Sequence, residues 1–268
     1  MTTGTIKTAR LPLFPQLALL FDEGRHEYRL DDGAFEWEDK TAFPSVTQFI
    51  GHYIPPFDEA GAAANAARRS GATPDEVLKK WAASREYACD FGTRVHANQE
   101  AMLLGRTPPN RPRDERERRI MAAGWQAVSM LFGAGWRTMA AEMMVGSVRY
   151  RLAGTVDAIL TRGKNEVLVA DWKTNKELAS ASRFGTKFLP PLDDLDDCEL
   201  NKYAIQLNLY RKILLSDGYL PATANVRMCL VHLREDGPKV HEVERSRNCD
   251  ALLADYLSYD WFARQPPF

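Results

Sequence analysis

The sequence predicts an α/β protein: a central mixed β-sheet flanked by helices, preceded by an N-terminal β and helical extension. Three observations carry this. Helical periodicity dominates from about residue 45 to 132, and strand periodicity then takes over at Met143. The run Val167-Leu-Val-Ala170 is apolar on both faces, as a central strand requires. Helical segments return at about 199–216 and 249–264, with strands between them.

The elements follow in order. Leu17–Phe21 and His26–Leu30 alternate as strands around the turn Asp22-Glu-Gly-Arg25, and Asp31-Asp-Gly33 is a second turn signal. Ser45 or Thr47 is placed to cap a helix whose inward residues are Val46, Phe49 and Ile50. An alanine-rich helix over 58–70 stops at Gly71. Thr73-Pro74-Asp75-Glu76 then supplies an N-cap, a proline at the first helical position and acids for the first turn. That helix is expected to reach Phe91-Gly92, with a second helical segment over Thr93–Leu104 and another from about Asp114 to Phe132. Strands are expected over Met143–Tyr150, Leu152–Thr161 and Glu166–Trp172. Later come a helix over Glu199–Ser216, strands over Val226–Leu233 and Val240–Val243, and a closing amphipathic helix. Residues 1–135 are expected to form an N-terminal region and 136–268 a core, within one compact unit.

Composition narrows the function classes. The chain has 268 residues, 45% of them hydrophobic, with 35 basic and 36 acidic side chains and a formal net charge of -1. That balance excludes a protein that coats nucleic acid by bulk charge, but not one that meets it in a local cleft. No stretch approaches a membrane span, and Met1–Arg10 lacks the apolar core of a signal peptide. A cytoplasmic protein with no membrane partner is expected. The four cysteines, Cys89, Cys198, Cys229 and Cys249, form no close pair, so neither a zinc ribbon nor an iron–sulfur cluster is expected.

The densest chemical signal is Gly154-Thr-Val-Asp157 followed by Asp171-Trp-Lys-Thr174. Asp171 and Lys173 are two apart on a strand and share a face. A surface ion pair is the plain alternative. Asp157 lies on the preceding strand, across the turn Arg162-Gly-Lys-Asn165. A loop of three or five residues brings Asp157 to face Asp171; a loop of four turns them apart unless a bulge intervenes. Facing carboxylates suit a hard cation such as Mg2+, and an adjacent ammonium suits a phosphodiester substrate. His96 and Glu100 are i and i+4 on a helix, as are Gln206 and Tyr210, so each pair shares a face. The first pair offers a metal ligand with an orienting acid, or a plain surface pair. The second offers an amide and a phenol, or plain helix packing.

Taken in order, Gly-Thr-x-x-His, Gly-x-x-Asp, Asp-x-Lys-Thr and Gln-x3-Tyr resemble the RecB-like branch of the PD-(D/E)XK nuclease superfamily, and among it the phage-type exonucleases and the mitochondrial genome maintenance exonuclease. The resemblance spans about residues 43–245. It implies a restriction-endonuclease-like core and a metal-dependent deoxyribonuclease acting on DNA ends, single- or double-stranded, in replication, recombination or repair. It implies Mg2+ or Mn2+, one or two ions, held by His96, Asp157, Asp171 and the backbone carbonyl of Trp172. Lys173 matches the catalytic lysine, and Gln206 and Tyr210 match the motif that supports it. Glu100 and Glu142 stand where further acids occur. Thr93, Arg94, Thr174, Lys176, Lys202 and Arg211 are candidate phosphate contacts, although each taken singly reads first as a solvated helix charge. Val156 stands where the superfamily's name places a proline. An endonuclease with the same core, or a silent DNA-binding module on the same scaffold, remains open.

Overall fold

A computed structural model describes residues 5–34, 36–246 and 248–258. Its centre is a five-stranded mixed sheet in the order β5-β6-β7-β8-β9. The strands are β5 Arg137–Ser147, β6 Leu152–Arg162, β7 Glu166–Lys173, β8 Asn225–Arg234 and β9 Gly237–Val243. Neighbours are antiparallel except β7 and β8, which run parallel. That parallel step needs a crossover, and helix α5 (Glu199–Ser216) supplies it. The predicted mixed α/β architecture, with helices flanking the sheet, is the one found.

Two apolar layers sandwich the sheet. Val156, Ile159, Val167, Val169, Met228 and Leu230 face α5, α1 (Val46–Gly51) and α6 (Asn248–Ser258). Leu160, Leu168, Ala170, Trp172, Val231 and Leu233 face α3 (Pro74–Leu103) and α4 (Glu115–Gly133). The alternation along β7 divides its side chains between the two layers, so the central strand is apolar on both faces. The last part of the expected closing helix, residues 259–264, lies outside the described residues.

A second sheet, β1 Ile6–Leu11, β2 Phe14–Asp22, β3 Glu27–Asp31 and β4 Ala42–Phe43, is antiparallel throughout. Leu11, Leu19 and Tyr28 from this sheet pack with Ala153 of β6 and Met144 of β5. The Ala153 N–H donates to the Pro44 carbonyl at 3.0 Å and extends the contact. Strand β1 was not foreseen, because it is mostly exposed and shows little alternation.

Local chemistry explains the helix starts. Ser45 caps α1 in a capping box with Gln48. Asp58 caps α2 (Glu59–Ser70), which stops at Gly71, and Thr73 caps α3 in a second capping box with Glu76, with Pro74 at the first helical position. Helix α3 departs from expectation by running unbroken through Gly92. A glycine within a helix costs about 1 kcal/mol relative to alanine, but no proline follows it. The buried stripe Phe91, Val95, Gln99, Met102 continues at helical spacing past the glycine. Strand β5 begins at Arg137, six residues before the expected start, with a register shift between Thr138 and Ala140. That irregularity hides its alternation.

Candidate active site

The hairpin between β6 and β7 decides whether the two aspartates meet. Arg162 pairs with Glu166, leaving a three-residue loop, and the ladder continues to Ala158 opposite Ala170. The next positions in that register are Asp157 and Asp171. There the strands part: Asp157 Oδ2 accepts the backbone N–H of Trp172 at 2.9 Å. Both aspartates are buried. Asp171 Oδ2 meets Lys173 Nζ at 2.6 Å, and Asp171 Oδ1 accepts a long bond from Gln206 Nε2 at 3.4 Å.

His96 reaches the same place from α3. Its Nδ1 lies 3.4 Å from Glu142 Oε1 and 3.5 Å from Asp157 Oδ2. Its Nε2 lies 3.1 Å from the Trp172 carbonyl oxygen. Glu142 faces Asp157 across β5 and β6, between the pairs Ala141–Ala158 and Met143–Val156. Glu142 has φ +46°, a left-handed conformation that costs a non-glycine residue about 1 kcal/mol or more. It lies beside the candidate ligands.

Electrostatics follow from this crowding. Burial works against a charged His96 imidazole, but Asp157 and Glu142 outweigh it and hold its pKa well above the ordinary value. Burial likewise raises Asp157, yet His96, Lys173 and the Trp172 N–H bring it below its usual value. Asp171 moves the other way, to about 6: burial and the charge on Asp157 raise it more than Lys173 lowers it. Burial opposes the charge on Lys173, but Asp171 and Asp157 leave its pKa raised, so it stays an ammonium.

His96, Glu142 and Asp157 each offer a ligand atom, all within 4.8 Å of one another. Two carboxylates and an imidazole that hold a proton this tightly also suit a divalent cation, which would compete with that proton. The acids close to the site thus include Glu142 directly, beyond the nearby role expected for it. Glu100 and Thr93 line the adjoining cavity of about 540 Å³, together with Tyr28, Glu142 and Tyr210.

Glycine 154 has a steric reason. A Cβ there would lie 2.6 Å from both Cε1 and Oη of Tyr210, so the buried phenol sits directly against the β6 backbone. That contact ties α5 to the strand carrying Asp157. Tyr28 Oη and Thr155 Oγ1 are hydrogen-bonded at 2.9 Å, tying the small sheet to the next residue.

The candidate phosphate contacts divide. Lys176 and Lys202 line a large groove beyond the end of β7, although Lys202 is paired with Asp197 at 2.7 Å. Thr174 Oγ1 stands close to Gly92. Arg94 corrects the expectation. Its guanidinium donates to both oxygens of buried Glu117, at 2.9 and 3.1 Å, and also to the Arg111 carbonyl. It is a fastener between α3 and α4, turned from the site because buried Glu117 requires a cation. Arg211 corrects it too: it is half-buried on the α6 side of α5, near Arg245 and Asp250, with Nε shielded from solvent.

Sequence reading missed Tyr203. The Lys173 ammonium lies 4.1 Å from its ring centroid, and its hydroxyl accepts from Asn175 Nδ2 at 3.1 Å. The spacing Tyr203, Gln206, Tyr210 places all three on one helix face. That was the available signal.

Where the strands part around the buried aspartates, the carboxylates and His96 offer ligand atoms that suit a cation, and Lys173 offers an ammonium that suits an anion. The family profile described as the PD-(D/E)XK nuclease superfamily matches residues 129–263, half of the chain. The chain therefore belongs to the PD-(D/E)XK nuclease superfamily, whose members are typically nucleases that use divalent metals. The match includes Glu142, Asp157, Asp171, Lys173, Gln206 and Tyr210, and excludes His96. A solved structure titled "Crystal structure of SSO0001" is similar at 16% identity, with 65% of this chain and 76% of that chain covered and a TM-score of 0.28. No curated protein matches the chain.

Proposed function

We propose that the protein is an Mg2+- or Mn2+-dependent DNA exonuclease of the RecB-like branch, hydrolysing phosphodiester bonds at DNA ends. The observation that carries this reading is the convergence of Asp157, Asp171 and Lys173 where β6 and β7 part, with His96 and Glu142 beside them. His96, Asp157 and Glu142 would hold the cation, with Asp171 and the Trp172 carbonyl adjacent. When bound, the cation supplies Lewis-acid activation of the phosphate and of the attacking water.

The chain's own groups have separate tasks. Lys173, held protonated, donates hydrogen bonds to a phosphate oxygen or orients the water, and stabilises negative charge as it develops. It is not a general base. The Tyr203 ring and Asp171 fix the ammonium in place. Gln206 steadies the free side of Asp171, and Tyr210 sets the distance between α5 and β6. Glu100 is a neighbouring acid, while Thr93, Thr174, Lys176 and Lys202 are candidate backbone contacts. A role in replication, recombination or repair follows from the same reading.

Action at ends draws support from the resemblance of the four motifs and from the small sheet, which walls one side of the site cavity through Phe21, His26 and Tyr28. End-labelled linear DNA and circular single-stranded DNA, each incubated with Mg2+ or Mn2+, test the reading. Linear strands should shorten from an end while circles persist. Cleaved circles would point to an endonuclease, and no cleavage of either to a silent binding module.

A further inference from the structure

Beyond the end of β7 the chain borders a second cavity, of about 800 Å³. It begins at Asn175 and Lys176, two and three residues past Lys173. Two phenylalanines line it and are largely bare: Phe57 is 70% and Phe184 86% exposed. The Phe184 loop is internally tied, since Ser182 Oγ accepts the backbone N–H groups of Phe184 at 3.3 Å and Thr186 at 3.0 Å. Its ring is thus displayed from a hydrogen-bonded turn.

The charged groups that line the cavity beside these rings are Lys176, Arg183 and Lys202 together with the acids Glu177, Asp197 and Glu199. Lys176 is exposed and has no acidic partner among the described residues. Arg183 is paired with Glu177 and Lys202 with Asp197. The Arg183–Glu177 pair is exposed and contributes little, so phosphate oxygens can compete for Arg183, whereas the Lys202–Asp197 pair is more sheltered.

We propose that this groove binds single-stranded nucleic acid, with Phe57 and Phe184 as surfaces on which unpaired bases stack and Lys176 and Arg183 along the backbone. Every unpaired base presents a free π-face to such rings, whereas within a duplex that face is covered by the neighbouring base pair except at the very end. The proposal rests on the nuclease reading for its direction, a strand led from the groove toward Lys173. It goes beyond that reading by naming the strand state of the substrate and two residues that select it.

Binding is measured by fluorescence anisotropy in EDTA, using labelled oligo(dT), an abasic strand of equal length and charge, and a blunt duplex. The intact protein should bind oligo(dT) roughly ten- to hundred-fold more tightly than the abasic strand. The double variant Phe57→Ala/Phe184→Ala should bind both strands alike. Phe184→Trp should keep the preference, with indole fluorescence quenched by oligo(dT) and not by the abasic strand. Equal binding of the two strands by the intact protein overturns the proposal, as does undiminished oligo(dT) affinity in the double variant, the result expected if the groove takes a protein segment. Hydrolysis is scored separately. Base preference without cleavage would sink the nuclease reading and leave the groove; cleavage without base preference would do the reverse.

Discussion

Asp171 is the central residue of the proposed chemistry. It is buried, 2.6 Å from a lysine that remains an ammonium, and it touches Gln206 of the crossover helix. Asp171→Ala or Lys173→Ala should abolish DNA hydrolysis while circular dichroism and melting remain those of a folded protein; unchanged rates would place the site elsewhere. The raised pKa of Asp171, about 6 against an ordinary 3.8, has a thermodynamic consequence in metal-free protein. The folded state binds this proton more tightly than the unfolded state. The associated stabilisation is therefore fully present below the unfolded pKa and lost as pH rises through about 6. His96, also raised, acts in the same direction. Thermal melts in EDTA should show lower stability at pH 8 than at pH 5, and Asp171→Asn should flatten the part of the slope between about pH 4 and 6. Added Mg2+ or Mn2+ should recover stability at the high-pH end, because a cation takes the place of the protons.

At the scale of elements, two contacts decide where the site residues stand. The first is α5 against β6, where the Tyr210 ring lies on Gly154. Gly154→Ala brings a methyl group 2.6 Å from that ring, and overpacking of this kind costs about 2 kcal/mol. Urea unfolding should show the loss, DNA hydrolysis should fall with it, and adding Tyr210→Leu should restore part of the stability. The second is α3 against α4, fastened by Arg94 and Glu117. Arg94→Ala strands a buried carboxylate and should cost about 3 kcal/mol. Replacing both, Arg94→Met with Glu117→Leu, should regain most of it. If Arg94 instead contacted DNA, the double variant would be stable but would bind DNA with a reduced salt dependence.

For the whole molecule, the small sheet and the central sheet meet at β5 and β6, so the site has a wall on one side and a groove that begins just past the C-terminal end of β7. The helix that carries His96 is 30 residues long and reaches the site from outside the matched span of 129–263. Tyr28→Phe removes the hydroxyl that meets Thr155 and should lower the rate on DNA ends several-fold with only a small change in melting temperature. An unchanged rate would mean that the small sheet does not support the site.

Much of this was legible along the chain because the signals were local. The capping box at Thr73, the two-faced apolar run at Val167–Ala170 and the i, i+2 and i, i+4 pairings are properties of neighbouring residues, and they placed Asp171 beside Lys173 and Gln206 with Tyr210 on one face. What lay beyond local pattern was which partners long-range packing would select. The length of the β6–β7 loop fixed the aspartate register, the left-handed backbone at Glu142 brought that acid to His96, and the cation required by buried Glu117 drew Arg94 away from the site. Side-chain type and spacing set the chemistry this chain can perform. Distances between residues far apart in sequence exist only once the sheet and helices have packed, and those distances decided which groups share the site.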